Sequence, residues 1–207
     1  MLLHAIYLIA IVAEAMSGAI MGMRRDMDLF GICVIGTITA LGGGTMRDIL
    51  LGNYPLGWIA HPEYLLFTIG AAIVTALVAR FLHHLRNAFL VVDGLGLVAF
   101  SVIGCNIART NGMSPDIVIL AGMITGVFGG LLRDVLCNQI PLVLQRELYA
   151  TVALFTGGLY VGLLWYKVDA APASLIAIST GFLFRLLAMR FHWNLPSFNG
   201  RGIRGFE

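Results

Sequence analysis

The chain has 207 residues, of which 59% are hydrophobic and only 12% charged. Soluble domains of this length carry roughly 25% charged residues, so this chain has too little polar surface for a water-facing exterior, and its mean hydropathy of +0.90 makes lipid the expected solvent. The net charge is +2, and the basic residues are scattered rather than striped, which argues against a nucleic-acid partner. No P-loop, GxGxxG or Ser/His/Asp set points to an enzyme or a cofactor. Cys33, Cys105 and Cys137 form no CxxC pair or zinc spacing and read as buried small residues.

A bilayer core needs about 20 apolar residues per helix. Seven stretches qualify in chain order: Leu2–Gly22, Leu29–Leu51, Tyr64–Leu82, Phe89–Arg109, Ile117–Leu136, Leu148–Tyr166 and Ala173–Phe191. The connections are short, so residues 1–207 form a single membrane domain. One set of loops and the tail hold Arg24, Arg25, Arg80, Arg86, Arg146, Arg201 and Arg204, whereas the other set holds Arg109 and Lys167. The basic side is expected to be cytoplasmic, with the N-terminus outside and the C-terminus inside. His83 and His84 fall in a loop on that basic side, and His61-Pro62 marks the start of the third stretch.

The second and fifth stretches repeat each other. Thr39–Leu56 placed on Thr125–Leu142, 86 residues on, gives eight identities in 18 positions. They include Gly43 with Gly129, Gly44 with Gly130, Arg47 with Arg133 and Asp48 with Asp134. A weaker match at an offset of 79 places Glu14 over Asp93. Residues 2–82 and 89–166 are therefore expected to be two three-helix repeats, with a seventh helix over 173–191. Three helices per copy is an odd number, so the second copy enters the membrane from the opposite side and the repeats are inverted.

Each copy carries a glycine run before Arg-Asp: Gly42-Gly43-Gly44-Thr45-Met46-Arg47-Asp48, and Phe128-Gly129-Gly130-Leu131-Leu132-Arg133-Asp134. Glycine costs a helix roughly 1 kcal/mol relative to alanine, and hydrocarbon cannot satisfy a loosened backbone. The two runs are expected to break their helices beside a wet path, where freed carbonyls meet a cation. Close helix packing is the competing reading of the same glycines. Arg47, Asp48, Arg133 and Asp134 are expected to gate or filter charge, one pair toward each mouth, each residue pairing with a different helix. Glu14, with Ser17 and Gly18 on its face, and Asp93 are expected to form an acidic lining that favours cations. Phe128 stands where the first copy has Gly42 and is a candidate constriction.

The paired glycine and Arg-Asp motifs, each leading to Pro-Leu, resemble those of the prokaryotic TRIC-type proteins, the trimeric intracellular cation channels. Glu14-Ala-Met-Ser-Gly, Arg24-Arg25-Asp26-Met27-Asp28 and Asp93-Gly-Leu-Gly are similar as well. The resemblance implies a homotrimer in a bacterial inner membrane. Each protomer would conduct potassium, with sodium also passing, between the two glycine-kinked helices. On this sequence the lining would be Gly42, Gly43, Gly44, Thr45, Phe128, Gly129 and Gly130. The resemblance implies no cofactor and no metal beyond the permeating ions; lipids are the surrounding partner. Bacterial relatives also carry a glycine-transporter label, so a secondary transporter of glycine or a similar small amino acid is the alternative. Lys167 falls in a loop, so the lysine-dependent regulation of animal members is not expected here.

Overall fold

Short polar residues and left-handed turns mark where the helices start and stop. Asp28 caps the second helix by accepting a hydrogen bond from the Gly31 N–H at 2.7 Å. Gly52 ends that helix at φ 63°, a conformation that glycine adopts without a Cβ penalty. The same punctuation returns 86 residues later: Ser114 precedes Pro115 at the start of the equivalent helix, and Asn138 follows its end at φ 50°.

A computed structural model describes residues 2–79, 85–145 and 148–194. Within them lie α1 (Leu2–Met23), α2 (Leu29–Leu51), α3 (Gly57–Ala60), α4 (Glu63–Ala79), α5 (Leu85–Thr110), α6 (Pro115–Leu136), α7 (Tyr149–Trp165) and α8 (Ala170–Arg190). A 3₁₀ turn at Leu142–Leu144 lies between α6 and α7. The helices α1, α2, α5, α6 and α8 are long and apolar enough to cross a membrane. The apolar helices α4 and α7 have 17 residues each, or about 25 Å at the α-helical rise.

Each expected stretch contains a helix, and α2 has the expected bounds. The others begin or end up to four residues away, and the expected end of the third stretch at Leu82 lies outside the described residues. The short α3 was not expected. Arg80, His83, His84, Arg146, Arg201 and Arg204, and the side chain of Arg86, lie outside the described residues.

Of the five membrane-length helices, α5 is the most enclosed and α8 the least. Ile11, Leu41, Tyr64 and Phe100 form one buried cluster joining α1, α2, α4 and α5. Val102, Val118, Tyr160 and Ala177 form another joining α5 to α8. Small residues bring the backbones together at corresponding places. A Cβ on Gly18 would stand 2.8 Å from the Ile35 carbonyl oxygen, and one on Gly104 would stand 2.8 Å from that of Ala121. Gly36 faces the Ala15 carbonyl, and Gly122 faces that of Ser101. Every member of these contacts has its counterpart 86 residues on.

The contacts of α1 and α5 thus follow the same 86-residue spacing as those of α2 and α6. Under it, Asp93 corresponds to Tyr7 and Phe100 to Glu14. The expected equivalence of Glu14 and Asp93 at an offset of 79 is not the one the packing follows.

Candidate functional site

The helices α2 and α6 run without interruption through their glycines. The expected break does not occur, and the reason lies in how closely the two helices approach. A Cβ on Gly43 would overlap the Thr125 carbonyl oxygen, and a Cβ on Gly129 would overlap the Thr39 carbonyl oxygen. The two contacts exchange under the repeat, so α2 and α6 cross at a point of local two-fold symmetry. Absent side chains let the backbones meet while each helix keeps its own ladder of hydrogen bonds. Thr39 and Thr125 return their hydroxyls to the carbonyls of Ile35 and Ala121 at 2.7 and 2.6 Å.

The remaining glycine-run residues face elsewhere. Gly42 and Thr45 open on a groove of about 370 Å³ that also meets Trp58, Leu65 and Leu132. The Thr45 hydroxyl is turned back to the Leu41 carbonyl at 2.8 Å. Gly44 approaches the Arg47 guanidinium, Gly130 lies beside the Tyr149 hydroxyl, and Phe128 is half-buried on α6.

Arg47 and Asp48 are 3% and 1% exposed, and Arg133 and Asp134 are 0% and 2% exposed. These side chains are enclosed rather than open to water at a mouth. Each arginine bonds its own neighbour, which was not expected, and Arg133 in addition makes the expected pairing with a different helix, to Asp93 of α5. Arg47 Nε and Nη2 donate to Asp48 Oδ1 at 2.9 and 2.7 Å, and Arg133 Nε donates to Asp134 Oδ1 at 2.8 Å. Adjacent helical residues point about 100° apart, but the long arginine side chain folds back across that angle. The second carboxylate oxygen holds the following loop. Asp48 Oδ2 accepts from the Gly57 N–H at 3.1 Å, and Asp134 Oδ2 accepts from the Leu142 N–H at 2.9 Å. Asn53 adds a bond to Asp48 at 2.9 Å.

The second motif extends further into the protein. Arg133 Nη1 donates to Asp93 Oδ1 at 2.5 Å and to Ser17 Oγ at 2.6 Å, and the guanidinium lies 4.7 Å from the centre of the Phe89 ring. Glu14, 1% exposed, lies within electrostatic reach of Asp93, Arg133 and Asp134. The structure therefore gathers Glu14, Asp93, Arg133 and Asp134 in one buried network and leaves Arg47 and Asp48 in another. Tyr149 and Arg185 complete the first network, with the Arg185 guanidinium 5.0 Å from the centre of the Tyr149 ring. Neither was singled out from the sequence. An arginine inside the apolar 173–191 stretch was the available signal, because a buried charge requires partners.

Within the membrane-length helices, buried ions with specific partners mark a built site rather than incidental charge. Comparison with known proteins agrees on where such a chain resides. The inner membrane protein YadS of Escherichia coli K12, of the UPF0126 group, is 36% identical over 97% of this chain and 100% of its own length. A UPF0126 membrane protein of Vibrio cholerae is 37% identical over 95% of this chain and 83% of its own length. The TRIC trimeric intracellular cation channel orthologue from Rhodobacter sphaeroides superposes with a TM-score of 0.89 at 32% identity, over 92% of this chain and 98% of that one. A second solved structure, described as the structural basis for conductance through TRIC cation channels, gives 0.86 at 34% identity, over 95% of this chain and 97% of that one. The chain is a multi-pass protein of the bacterial inner membrane. The profile of the family described as Glycine transporter matches it twice, over residues 4–80 and 90–165. The chain belongs to that family, which is the TRIC family of the solved structures.

Proposed function

We propose that the chain is a passive channel for monovalent cations, potassium foremost, that works as a homotrimer with a conduction path in each protomer. The observation that carries this reading is the likeness to solved TRIC cation channels over nearly the whole chain. The proposed architecture is seven membrane helices (α1, α2, α4, α5, α6, α7 and α8) in two inverted sets of three, with α8 as the seventh. The doubled family match supports it, as do the glycine contacts that recur 86 residues apart. The N-terminus is placed outside and the C-terminus in the cytoplasm, from the distribution of arginines.

In this reading the α2–α6 crossing is where the path closes. Parting Gly43 from Thr125 and Gly129 from Thr39 would bare four backbone segments whose carbonyls suit a cation. Gly42, Gly44, Thr45, Phe128 and Gly130 would border the opened path. Glu14 and Asp93 would supply the negative charge that attracts cations, and the two Arg-Asp pairs would hold the adjoining loops in register with the gate. Purified protein in a planar bilayer tests this reading. Unitary potassium currents are expected, and a silent bilayer containing folded protein would refute it.

A second reading is a secondary transporter for glycine or a similar small zwitterion, favoured by the family description. Inverted repeats with a polar site between them also suit alternating access. Saturable, competable uptake of labelled glycine into liposomes would select it over the channel.

A further inference from the structure

The two halves diverge where α1 and α5 meet the Arg-Asp pairs. Around Arg47 and Asp48 the equivalent positions hold Tyr7 and Phe100, whose ring centres are 5.9 Å apart. Tyr7 lies within electrostatic reach of both charged residues. Around Arg133 and Asp134 those positions hold Asp93 and Glu14. One half therefore places an aromatic pair beside a balanced ion pair, whereas the other places two further acids beside it.

In the buried network of the second half, acids outnumber bases among the described residues. Among the described residues it gathers three carboxylates, Glu14, Asp93 and Asp134, against two guanidiniums, Arg133 and Arg185, and none of the five is more than 2% exposed. Both oxygens of Glu14, and Oδ2 of Asp93, have no hydrogen-bond partner among the described residues. The Glu14 carboxyl group fills the space that a side chain at Gly96 would need, one turn along α5 from Asp93. A buried carboxylate without a partner is too costly to persist, so it acquires a proton or a cation. The charged groups acting on Glu14 among the described residues include Asp93 of α5 and Arg133 and Asp134 of α6. Tyr149 of α7 and Arg185 of α8 border the same network.

We propose that Glu14 carries an exchangeable proton, which a monovalent cation replaces when it binds between Glu14 and Asp93. The proposal rests on the channel reading for the identity of that cation. The Glu14 carboxylic acid and the incoming cation become a carboxylate–cation pair, and one proton leaves for bulk water. The net charge of the network is the same before and after, and no electron moves. The described residues of the aromatic half form no such site, so cation and proton compete at the acidic end of the path.

The test uses the purified full-length protein in weakly buffered detergent solution, with potassium chloride added against N-methylglucamine chloride at equal ionic strength. Potassium is expected to release about one proton per protomer, because a ligand must be deprotonated to bind a cation. Glu14→Gln is expected to abolish the release, and Tyr7→Phe to leave it unchanged. No release from the wild-type protein, or equal release from Glu14→Gln, would overturn the proposal. Should Glu14→Gln not fold, infrared difference spectra of the wild-type protein decide. Loss of a buried carboxylic-acid carbonyl band on potassium addition supports the proposal, and no change in that region overturns it. Potassium flux into liposomes is measured on the same preparation. Proton release without flux leaves the site standing and refutes the channel reading, whereas flux without release refutes the site alone.

Discussion

Replacing Gly43 by alanine separates the helix-forming role of this position from its packing role. Helix propensity alone favours alanine by about 1 kcal/mol. Against it stands the added Cβ, which would overlap the Thr125 carbonyl oxygen. That oxygen belongs to the backbone of a continuous helix, so it cannot rotate away as a side chain would. Overpacking of this kind costs about 1–3 kcal/mol, and rigid backbone puts Gly43 at the upper end. The net expectation is a loss of about 2 kcal/mol, or a fall of roughly 4–8 °C in the unfolding midpoint for a chain of this size. Gly129→Ala is expected to behave alike, because its Cβ would overlap the Thr39 carbonyl oxygen. Gly44→Ala is the control, since its Cβ would stand 3.7 Å from Arg47 Nη2, an ordinary contact. Thermal loss of the monodisperse chromatographic peak in detergent measures all three. Midpoints for Gly43→Ala and Gly129→Ala at or above the wild-type value would refute the close crossing of α2 and α6.

Other substitutions probe the ion networks and the outer glycines. Asp93→Asn takes the charge from one of the two carboxylates that Arg133 bonds while Asp134 remains, so the expected loss is that of a charge-assisted hydrogen bond, about 1.5–3 kcal/mol; an unchanged midpoint would show that the pair does not hold α5 to α6. Asp48→Asn weakens the bonds from Arg47 and Asn53 and the anchor of the loop at Gly57. Faster proteolysis of the segment after α2 is expected, and unaltered cleavage would argue against the anchor. At Gly158 and Gly162 a Cβ would meet nothing within 4 Å, so alanine there is expected to be neutral or to stabilise by up to about 1 kcal/mol. A clear drop in the melting midpoint would reveal a contact at that surface in the assembled protein.

Much of the fold was legible because the bilayer imposes one length and one composition on every span. The bounds of α2 could be read directly, since Asp28 and Gly52 are strong stop signals at its ends. The short α3 was not legible, because four residues carry no periodicity. The glycine runs were legible as special but not as to why. A helix break and a close helix crossing both require missing side chains, and only the position of Thr125 and Thr39 decides between them. Glu14, Asp93 and Arg133 could be picked out singly as charges within apolar stretches. Glu14 and Asp93 could also be joined as one acidic lining, but that Arg133 meets them could not be read, because it depends on Ser17, Gly96 and the crossing of α1 with α5. The offset that matched Glu14 to Asp93 followed chemical likeness, whereas the packing pairs Asp93 with Tyr7. Like residues in a repeat need not occupy like places.

A channel of the proposed kind passes cations down their gradient. The most direct measurement is a planar-bilayer recording of the purified protein in potassium and then sodium, with labelled glycine uptake measured in liposomes from the same preparation. Unitary currents in potassium and no saturable glycine uptake are expected. A silent bilayer alongside saturable glycine uptake would contradict the channel reading and establish the transporter.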